Sequence, residues 1–226
     1  MYKNLVLISV FMLAMSGTMM VQATEQVSAT LETSAKVASA PTSALLTLRH
    51  KLKRFEQFSA QFEQKVFDVK GQQIQISMGE LQVKQPNKFR WQTYEPDQNL
   101  IVSDGQAVWI YNAFVEQVTA MELNKTVQQS PLWLIANQSE QAWSQFDVSS
   151  NQQGYSIVPK DPNSLTKRII IRFNDDIINR LTIEDTQGQT SEFILSDFNA
   201  SSRLANDLFN FTLPDDVDFD DQREVK

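Results

Sequence analysis

The feature that most constrains this chain is a short run at residues 107–111, AVWIY, apolar on both faces. It belongs to a longer stretch, residues 88–118, that reads as a β-meander. Phe89 and Trp91 alternate with Lys88 and Arg90, the period of a strand with one apolar side. Glu95, Pro96 and Asp97 make a turn, because Pro fixes φ and Asp can bond its own backbone. Leu100, Ile101 and Val102 form the next strand, and Asp104-Gly105 is a hairpin signal in which Gly supplies positive φ without strain. In the strand that follows, Trp109 and Tyr111 point one way and Val108 and Ile110 the other. An antiparallel sheet normally leaves one face wet, so something must cover the second face here. Two covers are open at this level: another layer of protein, or a ligand made of hydrocarbon.

The first residues fix an address. One early lysine, Lys3, precedes an apolar run from Leu5 to Met15, and Val21-Gln22-Ala23 supplies small residues for cleavage. Residues 1–23 read as a secretory signal, too short in its apolar core for a membrane span. Residues 24–42, rich in Ala, Ser, Thr and Val, read as a flexible leader. Residues 43–226 are expected to form a single domain. There is no cysteine, so an exported fold must rest on its core alone, and no lipid can be attached at a cleavage-site cysteine. The expectation is a free protein of the bacterial periplasm. The formal net charge is −7, and one unit more negative once Lys3 is removed. That balance opposes nucleic-acid binding, which needs clustered basic side chains, and adsorption to anionic lipid surfaces.

The rest of the chain supplies more strands and two helical inserts. Leu45, Leu48, Leu52 and Phe55 make an apolar stripe at helical spacing, predicting a helix over residues 43–57 capped by Thr42 or Ser43. Strand alternation begins at Phe58, turns at Lys70-Gly71 and returns through Ile74 and Ile76. At Met78-Gly79 the apolar phase flips to Leu81 and Val83, which predicts a bulge or bend. Residues 123–129 read as a polar loop. Ser130-Pro131 then opens a short helix, 130–136, apolar on nearly all sides and so either buried all round or laid over a cavity. Glu140 to Ser144 extend it. Five further strands follow, then one helical turn within 202–208, an apolar alternation at Phe209, Phe211 and Leu213, and an acidic end. About eleven strands with two helical inserts predict a sandwich or barrel.

Catalytic and metal chemistry find little support. His50 is the sole histidine, with basic neighbours and no serine elbow elsewhere, so no triad is expected. Asp216, Asp218 and Asp220 alternate near the end, but the Gly and distal Glu of a calcium loop are missing, and the run reads as a solvated tail. Six dispersed glycines leave no phosphate cradle. The positive signal is aromatic. Phe89, Trp91, Trp109, Tyr111, Phe114 and Trp133 gather around the meander and the short helix. With Leu132 and Ile135 of that helix, Trp91, Trp109 and Trp133 are the candidate lining of one apolar cavity.

These stretches are similar to a known family, the periplasmic outer-membrane lipoprotein carrier LolA. The resemblance rests on FSAQFEQKV at 58–66, KQPNKFRW at 84–91, IVSDG at 101–105, WIYNAFVEQ at 109–117, SPLWLIA at 130–136 and the terminal FTLPDDVDFDDQR. It implies a mainly β (α+β) fold, an incomplete antiparallel β-barrel with an α-helical lid over a hydrophobic cavity. It implies a monomeric carrier, without catalysis or cofactor. Such a carrier takes the acyl chains of lipoproteins from the inner-membrane transporter LolCDE to the outer-membrane receptor LolB. Matched positions make Leu52 and Ile135 lid contacts, with Phe55 on the same stripe, and make Phe89 the aromatic of transporter docking. Family members commonly carry Arg before the Pro-Asn pair, hydrogen-bonded to the lid when empty; here that residue is Gln85. The rival readings are a binding protein for another amphiphile, such as a phospholipid or glycolipid, and a secreted lipid hydrolase, which the absent histidine partner opposes.

Overall fold

The computed structural model describes residues 43–123 and 131–223. The signal and leader expected at 1–42, the polar loop at 124–129 and the Ser130 cap lie outside the described residues, as does the side chain of Leu132. The chain from Thr42 onward is one compact unit.

Twelve strands form one sheet in the order β12-β6-β5-β4-β3-β2-β1-β11-β10-β9-β8-β7. They are β1 (Gln57–Phe67), β2 (Gln73–Lys84), β3 (Lys88–Glu95), β4 (Asn99–Asp104), β5 (Ala107–Asn112), β6 (Gln117–Glu122), β7 (Phe146–Asn151), β8 (Gly154–Pro159), β9 (Thr166–Asn174), β10 (Ile177–Asp185), β11 (Thr190–Asn199) and β12 (Asp218–Asp221). Neighbours run antiparallel except β12, which pairs in parallel with β6. Residues from both halves of the order, such as Trp91 and Val108 on one side and Ile157 and Ile169 on the other, share one apolar cluster. The sheet therefore curls round a common interior, while β12 and β7 remain as free edges of an open barrel.

The meander folds as its sequence dictates. Gly105 sits at φ +99°, and the Asp104 carboxylate accepts from the Gln106 and Ala107 amides at 2.7 and 2.8 Å. On β5, Val108 and Ile110 face the interior. The opposite face meets protein. Cross-strand pairing puts Val102, Trp109 and Ala120 side by side, and Val102 and Ala120 have no exposed surface. The C-terminal segment lies over them. Trp109 stacks on Phe211 and Phe219, with ring centroids 5.3 and 6.1 Å apart, and the Arg223 guanidinium sits 4.6 Å from its centroid. Phe209 is completely buried at the end of a 3-10 turn, Asn206–Phe209. The acidic end is thus a strand, not only a solvated tail, because its backbone completes the edge of β6.

The irregularity expected at Met78-Gly79 is present, as a shift of register against β3 between those two residues. β2 keeps its inner face throughout: Ser77, Gly79, Leu81 and Val83 are buried. Ile74, Ile76 and Met78 are an exposed outer stripe. The irregularity lies opposite, where β3 spends an extra residue between Thr93 and Glu95. A Cβ on Gly79 would lie 2.0 Å from the Gln92 carbonyl and 2.6 Å from the Phe62 ring. Glycine lets that ring settle on the strand, where it stacks on Trp91 at 4.0 Å.

Among the described residues three α-helices accompany the sheet: α1 (Ser43–Lys53), α2 (Pro131–Ala136) and α3 (Glu140–Trp143). α1 ends earlier than the stripe predicts. Phe55 leaves the helical path to pack on Phe198 and Phe58, centroids 5.1 and 6.1 Å away, at the root of β1. α3 is a separate helix, capped by Ser139, whose hydroxyl accepts from Ala142 N at 3.2 Å. No helix among the described residues is long and apolar enough to cross a membrane.

Candidate functional site

Two short helices close the interior. α1 buries Leu48 and Leu52, and α2 buries Trp133, Leu134, Ile135 and Ala136. All belong to the cluster that holds Phe62, Leu81, Phe89 and Trp91 of the sheet. The described side chains of α2, Trp133 to Ala136, are all buried. At roughly 1.5–3 kcal/mol for each large apolar side chain removed from water, the lid gains several kcal/mol by filling this space itself.

The ends of both helices meet the turn between β2 and β3, residues 85–87. The Gln85 amide donates to Leu52 O at 3.2 Å and to Ile135 O at 3.4 Å. Gln85 N donates to Glu56 O at 2.7 Å and Asn87 N to Ala136 O at 3.2 Å. The last carbonyls of a helix have no partner within it, and those of α2 find theirs here. Trp133 O accepts from Asn137 N. Leu134 O and Ile135 O accept from the Gln138 amide at 3.4 and 3.2 Å. Arg49 of α1 donates to Gln138 O at 2.7 Å, tying the two helices together. Gln85 thus bonds a carbonyl of each helix with a neutral amide. Asn87 Oδ1 and Gln138 Oε1 are buried beside this network with no donor among the described residues. A cleft of about 580 Å3 opens beside it, lined by Glu56, Gln85, Asn87 and residues 136–139.

A second tie is ionic. Lys51 and Arg54 grip Asp176, in the β9–β10 turn, at 2.9 and 2.6 Å. Their hydrogen bonds, Lys51 first, hold the Asp176 carboxyl below its ordinary range. The carboxylate is exposed, so salt screens this tie.

The structure sorts the residues singled out in the sequence. Leu52, Phe55, Trp91, Trp133 and Ile135 come together in one cluster. Trp109 does not join them; it lies on the outer face of β5, under the C-terminal segment, and donates to Asp104 Oδ2 at 3.3 Å. Its expected place in the cavity lining is corrected, because side chains alternate along a strand and Val108 takes the inner side. Phe89, the aromatic that the resemblance assigns to docking, is 1% exposed on the inner face of β3. Phe114 is exposed in the β5–β6 turn and His50 is exposed on α1. No functional role for Arg49, Asn87 or Gln138 is read from the sequence. The one available signal was a polar residue two places past a helix end.

A curled, open-edged sheet closed by a latched apolar lid is a lidded receptacle. The family model described as outer membrane lipoprotein carrier protein LolA matches residues 53–212. The outer-membrane lipoprotein carrier protein of Shewanella sediminis is 39% identical over 176 residues, 78% of this chain and 85% of its own. That of Aeromonas salmonicida is 40% identical over 181 residues, 80% of this chain and 90% of its own. A solved LolA superfamily protein from Nitrosomonas europaea covers 75% of this chain and 99% of its own at 12% identity, with a TM-score of 0.49. The chain belongs to the LolA family of outer-membrane lipoprotein carriers.

Proposed function

We propose that this chain is a periplasmic carrier that shelters the acyl chains of lipoproteins between the inner and outer membranes. The observation that carries the reading is the lid. Its apolar side chains occupy the interior that an acyl chain would take, and a few hydrogen bonds from one turn hold it there. A buried CH2 is worth ~0.8 kcal/mol, so an acyl chain of ordinary length can outcompete the lid. The lid in turn weakens net binding, so that cargo can leave. Loading from LolCDE, delivery to LolB, export by residues 1–23 and action without catalysis or cofactor belong to the same proposal. So does a docking role for Phe89, which becomes reachable only once the lid lifts.

The test is a double substitution, Leu52→Cys with Ile135→Cys, clean because the chain has no cysteine. The carbonyls of both residues bond one Gln85 amide, and a disulfide further requires Cα atoms within about 7 Å. The crosslink is expected to form in the empty protein and block uptake of an acylated lipoprotein, and reduction is expected to restore it. Undiminished uptake by fully crosslinked protein would overturn the reading. Mass spectrometry of what co-purifies separates an acylated protein from a bare phospholipid or glycolipid.

A further inference from the structure

Trp133 carries an unspent hydrogen-bond donor inside the apolar cluster. The residue is 5% exposed, and its indole Nε1–H is buried with no acceptor among the described residues. Two other tryptophans of the fold are provided for. Trp143 Nε1 donates to Asn137 O at 3.0 Å and Trp109 Nε1 to Asp104 Oδ2 at 3.3 Å. A buried indole N–H ordinarily finds a partner, and one without a partner is costly. Phenylalanine or leucine would fill the same space without that cost.

The position of the donor says what could satisfy it. Trp133 stands on α2, the helix whose carbonyls the latch holds, and its ring is part of the cluster that cargo must displace. Water is excluded from that cluster when it is packed. A hydrocarbon tail offers no acceptor, but the head of an acyl chain offers one: the carbonyl oxygen of its ester or amide. A cluster with a donor and no acceptor is complementary to a ligand end with an acceptor and little else.

On the carrier reading above, we infer that the Trp133 indole N–H receives an acyl carbonyl of the bound lipid. It fixes the depth to which the chain enters and favours acyl lipids over plain hydrocarbon or ether lipids. Lipoprotein and free phospholipid bring the same carbonyls, so the experiment uses both. Wild type and Trp133→Phe are equilibrated with a synthetic diacylglyceryl lipopeptide and with its di-O-alkyl ether counterpart. Both are also equilibrated with phosphatidylglycerol vesicles in diester and diether form, and bound lipid is counted by radiolabel. Wild type is expected to hold the ester form about three- to tenfold more tightly than the ether, the range of one net hydrogen bond. Trp133→Phe is expected to lose that ratio, whatever its affinity for the ether form. A wild type that does not distinguish ester from ether, or a variant that keeps the ratio, would overturn the assignment. Equal weakening of both forms keeps the ratio and counts the same way. A preference seen with vesicles alone keeps the carbonyl assignment but moves the source to free phospholipid. A wild type that binds none of the four removes the carrier reading first, and this inference with it.

Discussion

Gln85 links the ends of two helices with a neutral amide rather than a charge. Its two acceptors are the carbonyl ends of α1 and α2, where a cation is favoured by the helix dipole and makes stronger, charge-assisted bonds. Gln85→Arg should therefore close the empty lid more firmly and speed cargo transfer to a receptor, read as a transfer rate; a slower rate would contradict the latch. Phe89 is the second residue whose prediction the structure changes. With 1% of its surface exposed inside the cluster, Phe89→Glu would bury an unpaired carboxylate. The loss should be about 4 kcal/mol or more, a large share of a marginal stability. Thermal unfolding should show it before any loading assay does. An unchanged midpoint would mean that Phe89 is not packed as described.

At the scale of elements, the β1–β2–β3 layer depends on one missing side chain. Phe62 crosses the strand at Gly79 to reach Trp91. A methyl at 79 would collide with backbone at 2.0 Å, which no rotamer change relieves. Gly79→Ala is expected to cost about 3 kcal/mol, the upper end for overpacking, and to loosen the Trp91 environment in near-ultraviolet circular dichroism. A substitution at Gly71, where nothing lies within 4 Å of the Cβ position, should leave that spectrum unchanged.

For the whole molecule, the sheet has two apolar surfaces, each with its own cover. The inner one is covered by a lid tied with a few polar bonds. The outer one is covered by the C-terminal segment, whose ties include Arg223 hydrogen-bonded to Asp221 at 2.7 Å and set over Trp109. That pairing, Arg223 side-chain bonds first, lowers the Asp221 carboxyl from 3.8 to about 2. A depressed carboxyl contributes stability that is present above its ordinary value and is lost as pH falls through the folded value. The segment should therefore loosen between pH 4 and 2, seen as a change in the Trp109 signal. Asp221→Asn should remove the acid step in that window and leave the segment looser at neutral pH. An acid step that survives the substitution would assign it to another group.

The sequence by itself determined the elements and the class. Alternation at Phe89 and Trp91 located strands, Asp104-Gly105 placed a hairpin, and the stripe of Leu48 and Leu52 made a lid helix, because each is a pattern over neighbouring residues. Gln85, Leu52 and Ile135 were legible as a set only through resemblance, since their link is made by backbone carbonyls that no side-chain pattern encodes. Tertiary structure alone decided which face of β5 was inside. The AVWIY run is apolar both ways, so alternation could not assign Trp109, and the deciding contact comes from Phe211, about a hundred residues away along the chain. It also made a strand of the acidic end. Asp218 to Asp221 have poor strand propensity, and what holds them is the free edge of β6, whose unpaired backbone groups accept any chain that reaches them.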